Sequence, residues 1–177
     1  GGSHSDLTDE YAAVRKEMES VAEYLGKSVL REVDEDEFMK NIADIRSSCG
    51  DRAVLRAMHF YGDNARVEKQ AAALKAGDFE TFKKYIIESG RSSYMYNQNV
   101  YSCKKASEQP VSLALSLSEK LLDGCGAWRV HGGGFAGTIQ AFVPLNKLDE
   151  YKDLMEKVFG SGSCYILSVR PVGGVEL

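Results

Sequence analysis

Residues 127–143 read Ala-Trp-Arg-Val-His-Gly-Gly-Gly-Phe-Ala-Gly-Thr-Ile-Gln-Ala-Phe-Val, two short apolar runs joined by a glycine-rich connection. Aromatic and β-branched side chains favour a pleated strand. Glycines permit the positive φ angles that tight connections between strands use. The stretch therefore predicts a β-hairpin with strands at 127–130 and 138–143 and a loop at 131–137.

Upstream of this hairpin, apolar residues recur at helical spacing. The first helix carries the stripe Leu7 to Leu25, ends at Gly26, and has Ser5, Asp6 and Thr8 as capping candidates. The pattern predicts further helices from Asp34 (with Phe38, Ile42 and Ile45 on its apolar face), from Asp51 to Gly77, from an Asp78 cap to Ser89-Gly90, and from Pro110 to Gly124. The polar, tyrosine-rich stretch 91–109 is predicted to be loop and frayed helix.

Downstream of the hairpin, a helix is predicted from Asn146, followed by one or two strands at 164–169 and 172–176 that Pro171 separates. Strands mixed with helices in this order indicate an α+β fold, a sheet layered by helices and preceded by a largely helical segment. We predict one domain over residues 1–177, mainly helical in 1–124 and mainly hairpin, helix and closing strands in 125–177.

The composition limits the classes of partner. The chain has 177 residues, 44% of them hydrophobic, so it can bury one real core. A net charge of -4 with scattered basic residues argues against a nucleic-acid partner. No apolar run reaches the length of a membrane span, and the first residues lack a secretory pattern. We expect a cytoplasmic protein that binds neither nucleic acid nor membrane.

Metal and disulfide chemistry is not indicated by the cysteines or histidines. Cys49, Cys103, Cys125 and Cys164 are widely separated and have no histidine at metal spacing, which is typical of reduced thiols. His59 is expected to be a packing residue. The charges from Asp34 to Glu37 are expected to be a solvated helix start.

The glycine-rich loop is the strongest local signal for a binding site. Consecutive glycines allow another backbone or a charged ligand to approach closely, and successive N–H groups can bind an anion. The loop is not a Walker motif, because no Lys-Ser or Lys-Thr ends it and a strand follows. From the residues alone, a structural hairpin turn and a ligand-contacting loop are both open. His131 is expected to be a turn residue and not a general base.

The string Arg129 to Thr138 resembles the third motif of the galactokinase family, usually R-M-T-G-G-G-F-G-G or R-M-T-G-A-G-F-G-G. The resemblance extends in order along nearly the whole chain, and therefore the opening residues are expected to be native sequence. Within the motif, the matching residues are Gly132, Gly133, Gly134, Phe135 and Gly137. Elsewhere in the chain, the matching residues are His4-Ser5, Glu10-Tyr11, Arg15, Leu25 to Ser28, Leu30 to Val33, His59, Gly62, Ala71 to Leu74, Gly77 to Phe79 and Glu88-Ser89.

This resemblance implies the C-terminal domain of a GHMP-superfamily sugar kinase, with a ferredoxin-like mixed sheet. The motif loop would line the active cleft beside bound ATP, which makes its five matching residues cofactor-binding candidates. Tyr11 would contact the sugar, although its place on the apolar stripe is equally consistent with a packing role. ATP, Mg²⁺, the catalytic Asp and Arg and the phosphate loop would be held by an N-terminal domain that this chain lacks. No catalytic residue or metal ligand is therefore assigned to it.

Three departures from the family pattern concern the site. His131 stands where Thr or Ser is usual, and Ala136 replaces a glycine. Residues 93–102 differ strongly from the usual acidic stretch, so the sugar could differ.

The implied function is the ATP-dependent phosphorylation of galactose at its anomeric hydroxyl by a monomeric full-length protein. The fragment alone is expected to be inactive. Three alternatives remain open at this stage: another GHMP kinase acting on N-acetylgalactosamine or arabinose, a non-catalytic galactokinase-like sugar sensor, and an interaction domain whose glycine loop is only structural.

Overall fold

The structure, a computed structural model, describes residues 7–135 and 137–169, which form mainly helices together with one small sheet. The helices are α1 (Thr8–Tyr24), α2 (Glu35–Lys40), α3 (Ile42–Cys49), α4 (Asp51–Lys75), α5 (Phe79–Ser92), α6 (Pro110–Leu122) and α7 (Leu148–Phe159), and the strands are β1 (Ala127–His131) and β2 (Thr138–Phe142). A π-helical turn, Ser93–Asn97, extends α5.

The chain divides into two compact units between Phe142 and Val143. The first unit contains α1 to α6 and the hairpin. In the second unit, the 3-10 turn Leu145–Lys147 leads into α7, which buries Tyr151 and Met155.

The main core of the first unit lies between α1, α2, α3 and the first half of α4. Phe38 and Ile45 are almost fully buried there, and the Phe38 ring packs against Tyr61 at 5.4 Å. The remaining buried members are Val21, Ala22, Leu30, Val33, Ala53, Val54 and Ala57. Burying side chains of this size supplies the main stabilisation of the helical part.

A second cluster joins the far end of α4 to α5 and the hairpin. Its buried members are Ala73, Phe82, Ile86 and Ala127, and the ring of Phe82 meets Phe142 edge-on at 5.3 Å. Helices α5 and α6 both pack on β1. Because two helices hold β1, the hairpin and its loop are fixed relative to the helical part.

Most predicted helices are confirmed, together with two of their caps. The Asp34 side chain accepts a hydrogen bond from the N–H of Asp36, and Asp78 accepts one from the N–H of Thr81. The segment after Asp34 forms two helices and not one, with a break at Asn41. At α1 the N-cap residue is Leu7, and the predicted cap Thr8 is already helical; Ser5 and Asp6 lie outside the described residues.

The prediction of loop and frayed helix for 91–109 is wrong over its first half. Helix α5 continues beyond Gly90 to Ser92, and the π-helical turn follows directly. Ser92, Ser93 and Asn97 are buried despite their polarity. Distant elements supply hydrogen-bond partners for two of them: His59 for the Ser92 hydroxyl and Arg56 for the carbonyl oxygen of Asn97. Polar composition indicates exposure only where no such partners exist.

The hairpin is confirmed as an antiparallel pair running from Ala127 opposite Phe142 to His131 opposite Thr138. The predicted strand at 164–169 is wrong: these residues form no strand, and Tyr165 and Leu167 are exposed. A strand requires a hydrogen-bonded neighbour, and within the described residues β1 and β2 pair only with each other. The predicted strand at 172–176 lies outside the described residues. Helices with a small antiparallel sheet confirm the α+β class.

Candidate functional site

The glycine-rich loop leaves β1 at His131 and returns to β2 at Thr138, with one exposed and one buried side. His131, Gly132 and Gly133 are exposed, whereas Gly134 and Phe135 are buried. Ala136 lies outside the described residues. The loop thus presents bare backbone on one side and is held in place on the other.

Three loop residues have positive φ: Gly132 at 65°, Gly134 at 82° and Phe135 at 53°. Residues other than glycine rarely adopt this backbone conformation, so Phe135 is a strained position. Its ring is 4% exposed and packs with Leu7. Burial of the ring and the contacts of its backbone hold Phe135 in this conformation.

Tyr11 on α1 contacts the loop directly. Its hydroxyl donates a hydrogen bond to the carbonyl oxygen of Gly134 at 2.7 Å. Its ring meets Phe135 edge-on, with centroids 5.2 Å apart. The structure therefore brings Tyr11 together with Gly133, Gly134 and Phe135 of the five candidate loop residues, and it gives the side chain a structural role whether or not it also contacts a sugar.

Asn99 holds the loop from the opposite direction and was missed by sequence reasoning. Its carbonyl oxygen accepts a hydrogen bond from the N–H of Phe135 at 2.6 Å, and its side-chain Nδ2 donates to the carbonyl oxygen of Gly133 at 3.3 Å. The side chain is 4% exposed. No local pattern marks this residue, because its partners are more than 30 positions away along the chain.

The close approach of Tyr11 to Gly133 and of Asn99 to Gly134 explains why these positions are glycines. A Cβ atom on Gly133 would lie 2.7 Å from Cε1 of the Tyr11 ring, and one on Gly134 would overlap the carbonyl oxygen of Asn99. Gly137 donates its N–H to the carbonyl oxygen of Gly134 at 2.9 Å. Among the first three, only Gly132 faces open space within the described part of the chain, where no atom beyond its two chain neighbours lies within 4 Å of the point where its Cβ would stand. Gly132 is thus the glycine with room for a ligand.

A buried ion pair stabilises the segment that carries Asn99. The guanidinium of Arg56 is fully buried and donates to the Glu17 carboxylate at 2.8 Å and to the carbonyl oxygen of Asn97 at 3.0 Å. Burial lowers the pKa of Arg56, and the Glu17 carboxylate opposes that shift. The pair links α1 and α4 to the π-helical turn.

A second polar cluster has the residue types of a hydrolase triad but not its accessibility. His59 Nδ1 lies 2.9 Å from the hydroxyl of Ser92, and its Nε2 lies 3.9 Å from Asp63. Ser92 is 3% exposed within a helix, so no substrate can reach its hydroxyl. Burial lowers the pKa of His59, an effect that Asp63 opposes. The cluster is structural, and it adds hydrogen bonding to the packing role expected for His59.

Within residues 7–135 and 137–169, no group of three or more His, Cys, Asp and Glu side chains is arranged to hold a metal ion. All four cysteines are free thiols. Over the same residues, no helix has both the length and the apolar character that a membrane crossing requires.

Comparison with known proteins identifies relatives along nearly the full chain. The human galactokinase is 32% identical over 174 residues, which cover 98% of this chain and 41% of that protein. The bovine galactokinase is 31% identical over 92% of this chain, and the Haemophilus influenzae galactokinase is 27% identical over 86%. No protein-family model matches the chain. The chain spans about two fifths of the length of the curated relatives it matches.

Proposed function

The chain belongs to the galactokinase family, and we propose that it is the C-terminal part of an enzyme that transfers the γ-phosphoryl group of ATP to the anomeric hydroxyl of galactose. The observation that supports this most directly is the similarity to galactokinases over 98% of the chain. The geometry agrees, because a rigidly held loop with an exposed backbone at Gly132 and Gly133 suits a wall of a phosphate-binding cleft.

The described residues fit ATP as one wall of a binding site and do not fit Mg²⁺ as ligands. Exposed main chain at Gly132 leaves space and N–H donors for a phosphate oxygen. The absence of a metal-ligand cluster among residues 7–135 and 137–169 means that no step is assigned to a metal here. In this proposal the metal, the base and most phosphate contacts come from the remaining three fifths of the protein.

Phosphoryl transfer depends mainly on positioning and on charge stabilisation. In this chain the loop residues 132–137 would supply a fixed backbone surface against the nucleotide, and Tyr11 would reach toward the sugar. The buried side of the loop keeps that surface rigid, so its N–H groups need no rearrangement when ligand binds.

Three further points belong to the same proposal. We propose that the complete protein has the ferredoxin-like layered sheet, which is supported by the unpaired outer edges of β1 and β2 within the described sheet. That residues 1–177 act as one domain stays a prediction. We also expect the full protein to be a cytoplasmic monomer.

The test is a kinase assay of the complete protein beside this chain alone. The complete protein should phosphorylate galactose with ATP, and the isolated chain should show no turnover. Kinase activity of the complete protein that does not require galactose would contradict the proposal, as would turnover by the isolated chain.

The same assay should include N-acetylgalactosamine and arabinose, with sugar binding measured separately by calorimetry. Preference for another sugar would change the substrate, and binding without turnover would indicate a sensor.

A further inference from the structure

The buried side of the glycine loop is held by a residue to which the proposed function gives no role. Asn99 contacts three consecutive loop residues: it accepts from the N–H of Phe135, donates to the carbonyl oxygen of Gly133, and lies where a Gly134 side chain would stand. The main-chain contact would exist with any residue at this position. The contact to Gly133 requires a short side chain with an N–H donor, which asparagine supplies.

These contacts act at a strained backbone position. Phe135 has a φ of 53°, and its N–H donates a hydrogen bond to the carbonyl oxygen of Asn99. Strained conformations persist only where the surroundings over-determine them. Asn99 and Tyr11 hold this backbone from two sides. The Asn99 side chain donates a hydrogen bond to the carbonyl oxygen of Gly133, and the Tyr11 hydroxyl donates one to the carbonyl oxygen of Gly134.

The backbone that precedes Asn99 is also held in place. Gln98 has a φ of 53° and turns the chain out of the π-helical turn. Just before it, the carbonyl oxygen of Asn97 is held by the fully buried Arg56, which pairs with Glu17 of α1. Helix α1 therefore supports the loop twice, directly through Tyr11 and indirectly through Glu17, Arg56 and the 97–99 segment.

The side-chain amide of Asn99 is oriented so that its nitrogen serves the loop while its oxygen has no hydrogen bond from the described residues. Its Oδ1 is buried and accepts no hydrogen bond from the described residues, whereas its Nδ2 donates to the Gly133 carbonyl oxygen. A buried acceptor without a protein partner is unfavourable. The residue at this position thus serves the loop more than it serves local stability.

We propose that Asn99 is a positioning residue that sets the backbone geometry of loop residues 132–135 and thereby the alignment of their exposed N–H groups. The inference rests on the proposed function for its kinetic consequence, because a misaligned loop would slow phosphoryl transfer. Its structural part is independent of the substrate.

The experiment compares Asn99→Asp with the wild type in the complete protein. Aspartate keeps the size of the side chain and replaces the donor by an oxygen that faces the Gly133 carbonyl oxygen, so the hydrogen bond is lost. A second variant, Asn99→Ser, removes the same contact without adding charge. The matched control is Met95→Gln, in the same segment, where the side chain is 60% exposed.

Two readouts are measured: amide hydrogen exchange along the chain, and kcat and KM for galactose and ATP. In both Asn99 variants, exchange should accelerate about fivefold to tenfold at the hydrogen-bonded amides of Phe135 and Gly137 and not in α4. The kcat should fall about tenfold or more while KM for galactose changes little, since positioning acts on the reacting geometry. Met95→Gln should resemble the wild type in both measurements.

The outcomes separate this inference from the proposed function. A wild-type protein without sugar kinase activity would remove the proposed function, and hydrogen exchange would still decide the role of Asn99. Unchanged exchange at the amides of Phe135 and Gly137 would overturn the inference. The same holds if exchange rises equally throughout the chain, or if loop exchange rises while an active enzyme keeps its kcat.

Discussion

At the scale of single residues, Tyr11 has the structural role that the sequence left open, and its contact with a sugar stays a prediction. The side chain lies on the apolar stripe of α1, packs on Phe135 and donates its hydroxyl to Gly134. A hydroxyl engaged with a carbonyl oxygen can still accept a hydrogen bond from a ligand. Structural support and sugar contact are therefore compatible in one residue.

Tyr11→Phe in the complete protein separates these roles. If the hydroxyl contacts the sugar, KM for galactose should rise about tenfold with KM for ATP unchanged, the loss expected for one hydrogen bond. If the hydroxyl only supports the loop, kcat should fall and KM for galactose should stay constant. Because the hydroxyl also holds the loop through Gly134, we expect a rise in KM for galactose together with a fall in kcat, measured by steady-state kinetics. An unchanged kcat and KM would contradict both roles.

Gly134 is the loop position least able to accept a side chain. Gly134→Ala would place Cβ onto the carbonyl oxygen of Asn99 in a backbone that already has a φ of 82°. We expect it to lower the free energy of unfolding by about 3 kcal/mol or more, from overpacking together with the left-handed penalty. The measurement is urea unfolding followed by circular dichroism.

Gly124→Ala is the matched control for this change. Gly124 has a φ of 74° but open space around it, so only the conformational penalty of about 1 kcal/mol applies. Equal losses in the two variants would mean that the close approach of Asn99 does not constrain the loop.

At the scale of elements, helix α5 packs on β1 through a glycine. A Cβ atom on Gly90 would lie 3.0 Å from Cβ of Arg129 and 3.1 Å from the carbonyl oxygen of Trp128. The helix interior would otherwise favour alanine over glycine. The absence of a side chain at this position sets how closely α5 approaches the strand that leads into the loop.

Two glycine-to-alanine changes in helices should consequently have opposite effects. Gly62→Ala on α4 should raise the free energy of unfolding by about 0.5–1 kcal/mol, because the three atoms nearest its Cβ would belong to the guanidinium of Arg66, the far end of a side chain that can shift while keeping its ion pair with Asp63. Gly90→Ala should lower it by about 1–2 kcal/mol, because backbone atoms of β1 cannot easily move. Denaturant unfolding of both variants provides the comparison, and a stabilised Gly90→Ala would show that the α5 contact has room to adjust.

The π-helical turn shows why the site could only partly be predicted from sequence. The glycine motif and Tyr11 are visible in the sequence, since glycine repeats and helical periodicity are local patterns. The contribution of Asn99 depends on Arg56 and Glu17, which lie more than 40 positions upstream. A stretch that looks polar and irregular is instead ordered by those distant partners.

At the scale of the whole molecule, a buried histidine connects helices α4 and α5 with the hairpin. His59 contacts Ser92 on α5, and the charged groups facing it are Asp63, Arg66 and Arg129 of β1. Burial is the main cause of its lowered pKa. Protonating His59 therefore opposes the packing of these three elements.

The stability of the protein should fall on mild acidification. Below the ordinary histidine pKa of about 6.5, the unfolded chain takes up a proton at His59, whereas the folded protein resists it until the pH reaches the lower folded-state pKa. The free energy of unfolding should thus be fully present above the ordinary pKa and should decrease as the pH falls from there toward the folded-state value.

His59→Gln should remove this part of the pH dependence, although it is less stable at neutral pH because the contact with Ser92 is altered. The measurement is the urea midpoint at several values between about pH 5 and pH 7.5, a range that spans the ordinary histidine pKa. An identical slope for the wild type and His59→Gln would contradict the role of His59.

The sequence by itself determined the hairpin, the positions of most helices, the α+β class and the galactokinase family, because these follow from local periodicity, glycine placement and motif order. Only the tertiary structure decided that Tyr11 and Asn99 hold the loop from two sides, and that Gly133 and Gly134 are glycines largely because those residues approach so closely. Contacts between residues far apart in the chain depend on how the helices pack, and no local pattern encodes that packing.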